Sequence, residues 1–128
     1  MLIWVKNNHV LGRCDYNYKH EPILYGWIKK HRFFGDHSNT SVWEIDRPTT
    51  AKEHPTMKPV ALYVKAIENS SQKGEIVLEP FSGSGTCIMA CEQTGRFCRA
   101  IELMPGYVAV ALERWSELTG EQPELIDG

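Results

Sequence analysis

Apolar residues are distributed differently in the two halves of the chain. In the first half they come as short runs between long polar stretches. LIWV at 2–5 predicts a short, fully buried strand. The stretch NNHVLGRCDYNYKHE that follows is polar and turn-rich. ILYGWI at 23–28 predicts a second strand, broken or bulged at Gly26, and VWEI at 42–45 a third. Between them, KKHRFFGDHSNTS at 29–41 reads as a basic, aromatic loop or hairpin turn. DRPTTAKEHPTM at 46–57 is an irregular connector punctuated by Pro48 and Pro55.

The second half alternates strand and helix signals. Pro59 opens a helical pattern with Leu62, Ala66 and Ile67 partly on one face, ending near 69–74. EIVLE at 75–79 predicts a buried strand bounded by Gly74 and Pro80. PFSGSGT at 80–86 is a glycine-rich loop, and CIMACEQ at 87–93 continues from it as a short helix stopped by Gly95. FCRAIE at 97–102 predicts the next strand. Pro105 then starts a helix with Val108, Ala111, Leu112, Trp115 and Leu118 at the spacing of one buried stripe. Strand, helix and strand with a glycine-rich helix entry make a βαβ unit. The expected class is α/β, with a parallel sheet covered on both faces and the first-half strands at one of its edges.

Length and composition narrow the function classes. The 128 residues suit one small domain, with 42% apolar and 23% charged residues, ordinary for a soluble globular protein. No run of about 18 apolar residues exists, so no membrane span is expected, and the first ten residues lack the features of a signal peptide. A cytoplasmic protein is expected. The net charge of -2 excludes a broadly polycationic nucleic-acid coat, but it hides an asymmetry. Residues 1–60 carry nine Lys or Arg against six Asp or Glu, and 61–128 carry five against ten. Eight of the 13 aromatic residues also lie in the first 60, so a partner surface is expected there. Cys14, Cys87, Cys91 and Cys98 form no CxxC pair and the five histidines form no ligand frame, so buried thiols, no metal site and a reducing compartment are expected.

The sharpest chemical feature is Glu79-Pro80-Phe81-Ser82-Gly83-Ser84-Gly85-Thr86, which follows a strand and opens a helix. Gly83 and Gly85 permit a tight turn and close approach of a ligand, and free N–H groups at the helix start attract an anion. Nineteen residues after Gly83, Glu102 ends the next strand, the spacing of an acid that binds ribose hydroxyls. A GxxxxGK[ST] phosphate loop and a strict GxGxxG are both absent. A carboxylate at 79 repels a pyrophosphate but receives an ammonium group, which points away from NAD and toward S-adenosylmethionine. The bland alternative is a purely structural tight turn.

The run His54-Pro55-Thr56-Met57-Lys58-Pro59, then GEIVLEPFSGSGT, then GRFCRAIELMPGYVAVALERW, resembles the amino-methylating DNA methyltransferases, which act on adenine N6 or cytosine N4. The likeness is to the arrangement in which the cofactor loop follows the catalytic motif, and it covers 54–118 closely and 2–45 more loosely. The resemblance implies a partial Rossmann-like, S-adenosylmethionine-dependent methyltransferase fold, a mixed sheet with helices on its faces. Residues 1–53 would supply edge strands and a DNA-facing loop at 29–41, 54–119 the cofactor-binding βαβ region, and 120–128 a frayed tail.

The same resemblance assigns roles by position. Lys58 and Pro59 help enclose the methionine part of S-adenosyl-L-methionine. Glu79 and Pro80 match an Asp-Pro pair, and Phe81 lines the pocket. Gly83, Ser84, Gly85 and Thr86 match the glycine-rich loop. Glu102 matches the ribose-binding acid, Leu103 would pack by adenine, and Tyr107 is expected to pack its own helix. Glu79 is one methylene longer than the usual Asp, and Ala100 stands where Gly is common. No catalytic residue is assigned, because the family's Asp/Asn/Ser-Pro-Pro-aromatic tetrapeptide does not occur here. The implied protein is a site-specific methyltransferase of double-stranded DNA, with adenine or cytosine as target. This chain would supply its cofactor part, and a missing N-terminal part or a second chain would carry the catalytic motif. The alternative is a non-catalytic S-adenosylmethionine-binding or structural remnant.

Overall fold

The computed structural model describes residues 1–9, 11–47 and 57–126. His54, Pro55 and Thr56 of the sequence motif lie outside these described residues. The elements, in chain order, are β1 (Leu2–Val5), β2 (His20–Ile23), β3 (Val42–Glu44), α1 (Val60–Ser70), β4 (Ile76–Glu79), α2 (Thr86–Thr94), β5 (Phe97–Ala100) and α3 (Pro105–Thr119).

The first three strands form a mixed sheet in the order β2-β1-β3. Central β1 is antiparallel to β2, with Leu2 opposite Ile23, and parallel to β3, with Trp4 opposite Trp43. Trp4 and Trp43 are both buried. Each satisfies its indole N–H as a buried indole must: Trp4 donates to the Ile45 carbonyl at 2.7 Å and Trp43 to that of Thr40 at 3.1 Å. Among the strands of this sheet, the second is displaced from expectation. It covers His20–Ile23 rather than 23–28. Pro22 is tolerated because β2 is an edge. Beyond Ile23 the apolar residues leave the sheet: Leu24 and Ile28 are almost fully exposed. The 29–41 segment is a loop and not a hairpin turn, because β2 and β3 flank β1 on opposite sides. It is moored to the second half where the Phe34 N–H donates to the Asn69 carbonyl at 2.8 Å and Arg32 pairs with Glu75 at 2.7 Å.

Helix α1 starts at Val60, with Pro59 as its N-cap in an extended conformation. It packs two ways. Leu62 and Ala66 meet Trp4 and Trp43, while Ile67, Tyr63 and Val64 meet Cys87, Ala90, Cys91, Val77 and Cys98. One helix therefore joins the first sheet to the β4–α2–β5 unit. In that unit β4 and β5 are parallel, with Ile76 opposite Phe97 and Glu79 opposite Ala100. Gly95 caps α2 as expected, its N–H donating to the Cys91 and Glu92 carbonyls.

Three expectations about burial are corrected. The β4–β5 pair is a separate two-stranded sheet, and one face is open: Val77 and Cys98 face the helices, whereas Ile76, Leu78 and Phe97 are 58–67% exposed. LIWV is likewise not uniformly buried, since only Trp4 of β1 is. The α3 stripe is also only half covered. Ala111 is buried, but Val108, Leu112 and Leu118 stay partly exposed because α3 packs mainly against α2 among the described elements. No helix among the described residues is long and apolar enough to cross a membrane.

Candidate functional site

The chain turns sharply where β4 ends. Glu79 turns its carboxylate back to accept the Phe81 N–H at 3.0 Å, and Ser82 N–H donates to the Ile101 carbonyl at 3.0 Å. Gly83 and Gly85 both adopt positive φ, 54° and 81°. They need glycine for different reasons. A side chain at Gly83 would meet nothing, so conformation alone is at stake there. At Gly85 a Cβ would lie 2.7 Å from that of Ala111, so this glycine also lets α3 approach the start of α2.

Glu102 fastens the turn to the end of the second strand. Its carboxylate accepts the Gly83 N–H at 2.7 Å and the Met104 N–H at 2.9 Å. Those two amides hold the carboxyl below its usual range, so it is ionised at neutral pH. Arg114, to which the sequence analysis gave no role, holds the other side of the turn from α3. Its guanidinium donates to the Ser84 carbonyl at 2.5 Å and to the Ser84 and Thr86 hydroxyls at 3.2 and 3.4 Å.

The turn opens onto a cleft of about 300 Å³ lined by Met57, Lys58, Tyr63, Phe81, Ser82, Gly83, Ser84, Thr86 and Tyr107. The fold thus brings Lys58, Phe81, Gly83, Ser84 and Thr86 together. Glu102 reaches the cleft through the Gly83 amide. Pro59 is buried behind it as the helix cap, its carbonyl accepting the Leu62 N–H at 3.1 Å. Glu79, Pro80 and Gly85 support the turn from outside the lining, and Leu103 is 91% exposed. Tyr107, expected to pack its own helix, lines the cleft instead.

Met57, Tyr63 and Ser82 are lining residues that motif reading passed over. Tyr63 had one signal, its place one helical turn after Pro59. Its phenol is pushed up to about 12 by burial, helped by the charge of Glu79, and so stays a neutral donor. The Ser82 hydroxyl is buried without a hydrogen-bond partner, a condition that calls for a ligand or water.

Lys58 has a second attachment. Its ammonium pairs with Glu21 of β2 and lies 5.5 Å above the Trp4 ring. Lys6, almost wholly buried, bonds the other oxygen of Glu21 at 3.2 Å. Burial pushes the Glu21 carboxyl up, but the hydrogen bonds from Lys58 and Lys6 outweigh it and the net shift is downward. Lys58 and Tyr63 also line a neighbouring cleft of about 260 Å³ between β2 and α1.

In the 24–35 loop, aromatic rings cluster on one another. Trp27 and His31 have ring centroids 4.4 Å apart, and the Tyr25 hydroxyl is 2.8 Å from the His31 imidazole. Lys29 and Lys30 are exposed beside them, whereas Arg32 is held by Glu75 and the Phe34 ring.

Comparison with known proteins gives this arrangement a context. The family model described as DNA methylase matches residues 1–113. Type II methyltransferase M.Cfr9I of Citrobacter freundii is 34% identical over 111 residues, covering 84% of this chain and 36% of that protein. Type II methyltransferase M.HpaI of Haemophilus parainfluenzae is 41% identical over 86 residues, covering 63% of this chain and 27% of that protein. The chain therefore spans about a third of the length of these curated relatives. Among solved structures, the M1.HpyAVI–SAM complex aligns with a TM-score of 0.68 and 29% identity, covering 88% of this chain and 59% of that one.

Proposed function

This chain belongs to the DNA methylase family, and on that premise we propose that it is the S-adenosylmethionine-binding part of a site-specific DNA amino-methyltransferase. The observation that carries the reading is the glycine turn, fastened by Glu102 and opening on a cleft with an unpartnered Ser82 hydroxyl. The cleft combines an aromatic wall (Tyr63, Phe81, Tyr107) with polar groups on the turn. That mixture suits a ligand with an apolar thioether-like chain and a hydrogen-bonding end. The relative solved as a SAM complex supports the same cofactor.

When bound, S-adenosylmethionine supplies an electrophilic methyl group on sulfonium. The contribution of this chain is positional. Ser82, Ser84 and Thr86 offer hydroxyls, and Glu102 offers to ribose hydroxyls the second lone pair on each carboxylate oxygen, beside the Gly83 and Met104 bonds. Tyr63 and Phe81 exclude water beside the reacting end. Lys58 orients the wall through Glu21. The amine that accepts the methyl belongs to a flipped adenine or cytosine. The Pro-Pro-aromatic motif that holds it comes from a further part of the protein or a second chain. The 24–35 loop, with Lys29 and Lys30 beside its aromatic cluster, is the DNA-facing surface.

Calorimetry with S-adenosylmethionine and S-adenosylhomocysteine tests the cleft. Binding of both is expected, weakened about tenfold or more by Glu102→Ala. Absence of heat with correctly folded protein sinks the reading, and unchanged affinity in Glu102→Ala removes the ribose assignment. A methyl-transfer assay on unmethylated DNA distinguishes the alternative, a non-catalytic binding module, which the missing tetrapeptide favours for the isolated chain. Little or no transfer is expected until the catalytic part is added.

A further inference from the structure

Three thiols converge behind the glycine turn, and methyl transfer uses none of them. Cys87 and Cys91 lie one turn apart on α2, and Cys98 faces them from β5. Their sulfur atoms all lie within 4.8 Å of one another. All three are free thiols, with Cys87 and Cys91 buried and Cys98 partly so.

Apolar packing alone explains buried cysteines one at a time. It gives no reason for three sulfurs from two elements to meet at one point. A single disulfide would join two of them and leave the third. One cation satisfies all three: with bonds of about 2.3 Å, three thiolates around zinc stand about 4 Å apart. The observed spacing needs only a small contraction to reach that distance.

The electrostatics are consistent with this geometry. Hydrogen bonding from Cys87 brings the Cys98 thiol down to about 7, whereas burial pushes Cys91 up to about 11. Cys87 is pushed up by its hydrogen bond to Cys98 and by burial. A cation that binds here replaces the thiol protons, so its binding is favoured as pH rises. Glu79 adds negative potential, opposed by Arg96 and Arg99. Cys98, the one of the three that is only partly buried, is the side from which an ion can enter.

We propose that Cys87, Cys91 and Cys98 form a three-thiolate site for one thiophilic d10 cation, of the class of Zn2+, Cd2+ or Cu+. Binding releases the thiol protons to solvent and forms three metal–sulfur bonds, with no change of oxidation state. The ion ties the first turn of α2, next to Thr86 of the cleft, to the strand that leads to Glu102.

The test uses the reduced, metal-free chain titrated with Cd2+ without oxygen. The ultraviolet thiolate-to-cadmium band is expected to saturate at one ion per chain and to survive Cys14→Ser. Cys87→Ala, Cys91→Ala and Cys98→Ala should each lower its intensity by about a third and weaken binding about tenfold or more. A folded wild-type chain with no band, or a band lost only in Cys14→Ser, overturns the proposal. X-ray absorption of the zinc-loaded wild type does not depend on the variants folding. About three sulfur neighbours at about 2.3 Å are expected, and a shell of oxygen and nitrogen alone overturns the site.

Discussion

The first sheet joins residues far apart in the chain, whereas the β4–α2–β5 unit is assembled from neighbours. β1 pairs with β3 across the whole intervening loop, and the Trp4 indole reaches a carbonyl 41 residues away. In the second unit strand, turn, helix and strand follow in sequence, and the tie between turn and strand, Glu102 to Gly83, spans 19 residues. The two regions are therefore vulnerable in different ways. Long-range closure carries an entropic penalty that buried side chains must offset, so the first sheet depends on its tryptophans. The second unit depends on backbone geometry at its turn, where conformation and close approach leave little room.

Truncating Trp4 should separate the regions most strongly. Trp4→Ala is expected to destabilise the protein by about 3–5 kcal/mol in urea unfolding, since the side chain is buried against Trp43 and Leu62. Amide exchange should show β1–β3 opening before β4 and β5. Simultaneous loss of protection in both would break the distinction.

The glycine turn offers a smaller, sharper contrast. Gly85→Ala should cost about 1–2 kcal/mol for its left-handed backbone and about 1–3 more for the clash with Ala111. Gly83→Ala, in open space, should show the conformational part alone. Equal shifts in the denaturation midpoint would deny that α3 packing sets the requirement at Gly85.

Acid probes the hinge between the regions. The Glu21 carboxyl is held below its ordinary 4.5 by Lys58 and Lys6 against the opposing effect of burial. Its stabilisation is therefore complete above that ordinary value and is lost as pH falls through the lower folded one. With solvent screening the effect is about 1 kcal/mol or less. Glu21→Gln should flatten stability in this acid range, and an unchanged pH profile would contradict the pairing. The smallest effect is expected from Arg32→Ala. This removes an exposed, solvent-screened pair with Glu75, and faster exchange at the Phe34 amide is the sensitive readout.

The legible and illegible parts of the molecule follow the same division. Pro59, Gly95 and Pro105 mark their helices in the sequence because caps depend on local backbone geometry. The order of β4, turn, α2 and β5 is legible because short connections leave few alternatives. The shift of the second strand from 23–28 to His20–Ile23 is not, because ILYGWI looks apolar enough to be a strand. Its rings found partners in His31 and one another instead.

In the cleft, Lys58, Phe81, Gly83, Ser84 and Thr86 were readable from motif position, while Tyr63 and, outside the lining, Arg114 were not, and Tyr107 was noticed but given another role. The amino-acid sequence by itself determined the βαβ unit, its glycine turn and the family likeness. Only the tertiary structure decided the strand order β2-β1-β3, the open face of β4–β5, the mooring of Lys58 on Glu21 and the meeting of three thiols. Periodicity and caps report how a residue sits on its own element. Which element it meets depends on packing between distant segments, which no local pattern encodes.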